Sequence, residues 1–248
     1  MKDFILEACV DSVESAIAAQ KGGAARLELC SNLSIGGTTP GQSLFQLVRE
    51  QVSLPIHVLI RPRCGDFCYS DFEYEIIKRE VALYKKLGAD GIVIGILQPD
   101  GSLNFSQLSE LCGLAEGMSL TLHRAFDVCC DPYAALEEAV LLGFDTILTS
   151  GQKDNCLDGA ALLSELVCQS SWRIDILVGS GVHAGILEQL YAKTHASSFH
   201  MSGKVLVDSL MHYRKEDVDM GTLGQSGYEI WRTDHGKIRD AAAVLEQL

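Results

Sequence analysis

The chain has 248 residues, 47% hydrophobic and 21% charged, a composition that supports a sizeable core and excludes a disordered chain. Lys and Arg number 20 against 33 Asp and Glu, for a formal charge of -13. So acidic a surface repels phosphate backbones and anionic lipid heads, so no nucleic acid and no membrane is expected as a partner.

Short runs rich in Ile, Val, Leu and Phe read as strands at 4–9, 25–30, 56–61, 91–96, 119–124, 145–149, 174–178 and 197–202. Segments of 3.6-residue periodicity lie between them at 11–21, 41–51, 71–87, 104–116, 132–142, 158–169 and 183–193, with a last helix near 237–247. Ser70 or Asp71, the pair Asp131–Pro132, and Asp158 supply start signals for the third, fifth and sixth helices. Gly22–Gly23, Gly88 and Gly143 supply stops. This alternation, with no Pro/Gly/Ser-rich linker, predicts one α/β domain over 1–248, a TIM-like (β/α) barrel. An open doubly wound sheet fits less well, because Cys9–Val10–Asp11–Ser12 after the first strand carries no nucleotide-binding glycine. A polar stretch, 205–236, precedes the last helix, so the barrel is expected to be incomplete or irregular at its last unit. A connection of that length serves function or a subunit contact.

The opening Met-Lys-Asp-Phe-Ile-Leu-Glu reads as no secretory leader, and no run approaches the ~18 apolar residues of a membrane span. The nine cysteines are odd in number and scattered through an ordinary α/β pattern. Free thiols in a reducing cytoplasm are therefore expected.

Barrels of this kind place ligands at the C-terminal ends of their strands. Those ends are polar here: Glu7 and Cys9; Glu28 and Cys30; Arg61, Arg63 and Asp66; His123, Arg124 and Asp127; Ser150; Gly181; and His200, Ser202 and Lys204. Alternation puts Glu7 with Cys9, Glu28 with Cys30, and His200 with Ser202 on shared faces. A buried carboxylate needs a cation, and Arg61 or Arg124 is the expected partner of Glu7 and Glu28. Such pairs also occur as purely structural ties. The loops Gly179–Ser180–Gly181 and Ser202–Gly203–Lys204 follow the seventh and eighth strands, where many barrels cradle a phosphate, although tight turns need glycine anyway. A small anionic substrate would then meet these loops, Arg61 and Arg124, with Glu28 and His123 as acid and base. His57, inside an apolar run, reads as a satisfied core histidine.

The strand-end segments also carry a resemblance. They are Glu7–Ala8–Cys9–Val10–Asp11–Ser12, Arg26–Leu27–Glu28–Leu29–Cys30–Ser31, Gly36–Gly37–Thr38–Thr39–Pro40 and Ile60–Arg61–Pro62–Arg63–Cys64–Gly65–Asp66–Phe67–Cys68–Tyr69–Ser70. His123–Arg124–Ala125–Phe126–Asp127, Ile147–Leu148–Thr149–Ser150–Gly151 and His200–Met201–Ser202 follow in the same order. Together they resemble the CutC family, with Cys64 in place of that family's usual glycine. The resemblance implies a cytoplasmic TIM-like barrel, a homodimer or higher homo-oligomer, and an association with copper. It assigns Cu(I) to Cys9 and Cys30, and it implies no particular reaction. Physically, two thiols on neighbouring strands about 4.8 Å apart suit Cu(I), which soft thiolates select. They suit plain packing or a redox disulfide as well.

Overall fold

In a computed structural model, which describes residues 4–215, 217, 218, 220 and 226–248, eight parallel strands close into a barrel. The strands are β1 (Ile5–Val10), β2 (Arg26–Leu29), β3 (Ile56–Leu59), β4 (Gly91–Ile94), β5 (Ser119–Leu122), β6 (Thr146–Thr149), β7 (Asp175–Val178) and β8 (Ser198–Met201). Outside them run α1 (Val13–Lys21), α2 (Gln42–Gln51), α3 (Asp71–Leu87), α4 (Phe105–Leu114), α5 (Pro132–Leu142), α6 (Ala160–Ser170) and α7 (Ala184–Thr194). A two-stranded antiparallel hairpin, β9 (Lys204–Asp208) with β10 (Glu229–Thr233), then leads to α8 (His235–Leu245).

The helix ends follow local chemistry. Ser70 and Glu73 form a reciprocal capping box on α3, and Asp131 caps α5 ahead of Pro132. Gly88 and Gly143 close those helices in the left-handed conformation that glycine adopts without penalty. Asp158 does not open α6 as expected. The cap position is Gly159, and Asp158 is held instead by Asn155 through its carboxylate and its backbone N–H. The last unit is irregular but not incomplete: β8 pairs with β1 and seals the barrel. Of the long stretch before α8, residues 216, 219 and 221–225 lie outside the described residues.

Two cores result from strand alternation. Leu6, Ala8 and Val10, with Leu27, Leu29, Ile56, Val58, Ile92 and Ile94, join the large cluster beneath the helices. The other face fills the barrel, where Cys9, Cys30, Leu59 and Val93 form a separate small cluster. Around it the interior is polar, because Glu7, Glu28, His57, Thr121 and Ser198 are buried there too. Among the described residues, no helix is long and apolar enough to cross a membrane.

Gly91 makes room for the His57 ring: a Cβ there would lie 2.7 Å from His57 Cδ2. Gly91→Ala is therefore expected to destabilise the fold by about 1–3 kcal/mol through overpacking. Urea denaturation checks this; an unchanged midpoint would mean the ring has space to move.

Candidate functional site

Three adjacent strands, β8, β1 and β2, build the floor of the mouth. Register sets Glu7 opposite both Arg26 and His200, and Cys9 opposite Glu28. One Glu7 oxygen accepts from Arg26 Nε and the other contacts His200 Nδ1 at 2.7 Å. Burial alone would raise the Glu7 carboxyl, but the His200 hydrogen bond and the Arg26 and His200 charges outweigh it and hold it at about 2. For His200 burial works against the charged form, yet the Glu28 and Glu7 carboxylates raise its pKa above the usual value. An ionised Glu7 must therefore accept from Nδ1–H, which leaves Nε2 facing Glu28 Oε2 at 3.8 Å.

Beside this pair lies the sulfur. Cys9 Sγ donates to Glu28 Oε2 at 2.9 Å and sits 3.8 Å from Cys30 Sγ. The Cys30 contact, burial and the Glu28 charge push the Cys9 thiol well above the ordinary range, so it is a protonated donor at neutral pH. Burial also raises Glu28, opposed by His200. Cys30 is fully buried, and Gly37 in the left-handed region packs over it, where a Cβ would stand 3.5 Å from Cys30 Cβ.

Above the floor opens a cavity of about 680 Å³. Cys9, Glu28, Arg61, His123, Arg124, Asp127, Gly181, His200, Ser202 and Lys204 all line it, so most of the expected site residues converge. Arg61 does not meet Glu7 or Glu28. Its guanidinium is held by the carbonyls of Gly36, Gly37 and Gly65 and lies 4.9 Å from the centre of the Phe67 ring. Arg124 does not meet them either. It pairs with Asp127, whose carboxylate also gathers Thr149 Oγ1 and the backbone N–H groups of Ser150 and Gln152. The cation that Glu7 uses, Arg26, is the residue missed, although its i, i+2, i+4 spacing with Glu28 and Cys30 gave the face away.

Other expectations shift as well. Arg63 and Asp66 bind each other, with Arg63 also on Glu73, and neither lines the cavity. Ser150 is buried behind the rim, donating to the Lys153 carbonyl. Lys204 lines the cavity with its Nζ 4.5 Å from the centre of the Trp231 ring. His57 is buried but not satisfied: its Nδ1 has no hydrogen-bond partner among the described residues. His123 Nδ1 accepts from the Ala125 N–H, so its proton belongs on Nε2. Burial first, then the Arg61 charge, hold its pKa at about 3.

Two groups of known proteins are similar to this chain. A model of the CutC family matches residues 4–205. A copper homeostasis protein cutC homolog of Mus musculus is 42% identical over 246 residues, covering 99% of this chain and 90% of the relative. Its Homo sapiens counterpart matches equally, and a CutC family protein of Pasteurella multocida is 41% identical over 242 residues. A crystal structure of a CutC protein from Streptococcus agalactiae superposes with a TM-score of 0.75 at 29% identity, over 80% of this chain and 98% of that one. The second group shares the fold alone, as does a thiamine phosphate pyrophosphorylase from Pyrococcus furiosus at 17% identity, a TM-score of 0.55, and coverage of 99% and 96%.

The state of His123 has a pH consequence. Between 6.5 and about 3 the unfolded chain takes up a proton on this ring that the folded chain refuses. Stability contributed by the neutral ring is thus present above 6.5 and lost as pH falls through that window, by up to about 1.4 kcal/mol per pH unit. His123→Gln is expected to flatten this part of a stability-against-pH profile; a slope equal to the wild type's would refute the assignment.

Proposed function

The chain belongs to the CutC family, and from that premise we propose that it is a Cu(I)-binding protein of copper homeostasis whose ligands are Cys9 and Cys30. The supporting observation is the pair of sulfurs 3.8 Å apart, of which Cys9 lines the cavity and Cys30 is buried behind it. With metal–thiolate bonds of about 2.3 Å, an ion making a wide angle between two sulfurs holds them about 4 Å apart. Two thiolates are the soft donors that select Cu(I) over the harder divalent ions. The copper ion is cargo here, and loading releases protons, because both sulfurs must become thiolates. Glu28, already hydrogen-bonded to the Cys9 thiol, is placed to take up the first of them.

The setting we propose is the cytoplasm, supported by nine cysteines that are all free in the fold. We also propose a homodimer or higher homo-oligomer. The β9–β10 hairpin supports this: Leu206, Val207 and Ile230 are exposed on a two-stranded sheet, a unit of marginal stability alone. The formal charge of -13 continues to weigh against nucleic acid and membrane as partners.

A second reading, an enzyme acting on a small anionic substrate such as a phosphorylated one, is favoured by one observation. Arg61, Arg124 and Lys204 all line the cavity, together with the loop at Ser180 and Gly181. In that reading Glu28 is the acid or base, and the neutral His123 polarises the substrate rather than moving its proton.

Competition with a Cu(I) chelator under reducing conditions separates the two. Cys9→Ser and Cys30→Ser are each expected to weaken Cu(I) binding by roughly a hundredfold or more, since each removes one of two soft donors. Unchanged affinity in both variants would reject the copper reading. For the enzyme reading, inorganic phosphate and sugar phosphates are expected to raise Tm by linkage; no shift across such a panel counts against it. The subunit contact is tested by sedimentation, where Leu206→Asp with Ile230→Asp is expected to yield monomer; an unaltered assembly would place the contact elsewhere.

A further inference from the structure

Cys9 belongs to a second donor set as well as to the sulfur pair. Its Sγ, a carboxylate oxygen of Glu28 and a ring nitrogen of His200 all lie within 4.8 Å of one another. They come from the inner faces of three neighbouring strands, so the barrel's own hydrogen bonding fixes their spacing. Thiolate, carboxylate and imidazole together make a borderline set. It differs from the all-sulfur pair, and it is the kind of mixture with which zinc is bound by three protein ligands and one open position.

Two further features point to a cation. His200 Nδ1 is already committed to Glu7 at 2.7 Å, and Glu7 to Arg26. A carboxylate behind the far nitrogen is the arrangement that orients metal-binding histidines, and it leaves Nε2 as the nitrogen on offer. All three donors also line the 680 Å³ cavity, so the direction in which they do not enclose an ion is the direction from which a small molecule arrives.

We propose that Cys9, Glu28 and His200 form a site for a divalent cation of the zinc class, with its fourth coordination position facing the cavity. The ion takes the place of the proton that Cys9 donates to Glu28 and, where His200 is an imidazolium, of the proton on Nε2, and each displaced proton leaves to solvent. A water or an anionic group completes the coordination, within reach of a rim that carries Arg61, Arg124 and Lys204. Cys30 is not one of the ligands. Because Cys9 serves both sets, a divalent ion here and Cu(I) on the sulfur pair exclude each other.

The test is a Zn²⁺ titration of the reduced protein against a chromophoric chelator, paired with the absorption spectrum of the Co²⁺-loaded protein. Glu28→Gln and His200→Gln are expected to weaken Zn²⁺ binding by at least about a hundredfold, and Glu7→Gln by roughly 10–100-fold through the orientation of His200. Cys30→Ser is expected to leave Zn²⁺ affinity within about threefold, since no ligand is lost. Wild type and Cys30→Ser should both show a thiolate-to-cobalt band with the strong visible absorption of a four-coordinate ion, read on variants whose circular dichroism matches the wild type's. No Zn²⁺ binding by the wild type, undiminished binding in both Glu28→Gln and His200→Gln, or a cobalt–thiolate band lost with Cys30→Ser would overturn the proposal. The copper reading stands or falls separately, because its loss is read in Cys30→Ser with Cu(I) while Glu28→Gln leaves both sulfurs in place.

Discussion

An ionised carboxylate inside a barrel is tolerated only where its charge and its lone pairs are both answered, and Glu7 has both answers from its immediate neighbours. Arg26 on one side and His200 on the other bind its two oxygens. Removing one partner of such a buried set costs about 3–5 kcal/mol, because the charge left behind has no water to turn to. The same three residues stitch β8, β1 and β2 together across the seam where the last strand meets the first. Barrel closure and the aim of the His200 ring therefore depend on one electrostatic arrangement. With the ring aimed, Glu28 and Cys9 are the groups its free nitrogen faces.

From this follows a division of the mouth. The floor holds Cys9, Glu28 and His200, with Cys30 buried behind Cys9, and the side walls hold cations that are largely engaged in shaping the loops. Arg61 pins the glycine-rich turn through three backbone carbonyls. Asp127 ties Arg124 to the turn after β6, so that charge is positioned rather than free to swing. A rim organised in this way is preorganised: its groups are held in place before anything binds.

The barrel was legible in the chain because its signals are local. Capping residues such as Ser70 and Asp131, terminating glycines such as Gly88 and Gly143, and short runs rich in Ile, Val, Leu and Phe each act within a few residues. Convergence of Cys9, Glu28, His123 and His200 at one opening followed from the fold class, and the resemblance to the CutC family followed from the strand-end motifs. What stayed hidden was partner choice. Glu7 and His200 are 193 positions apart, and which cation reaches Glu7 depends on the register between strands. Arg63 and Asp66 stand in the same motif as Arg61, yet the turn carries them outward onto Glu73 and each other. Asp158 illustrates a local competition, since an Asn three residues earlier captured the side chain that would have capped the helix.

The roof over Cys30 makes the two thiols unequal. Cys9 borders the cavity, whereas Cys30 lies beneath the backbone of Gly37 and against Leu59. Any soft ion or alkylating reagent diffusing in from solvent meets one sulfur at the doorstep and the other only behind it. Capture is consequently ordered in time, first a single bond and then a grip from both sides, and release runs through the same steps backwards.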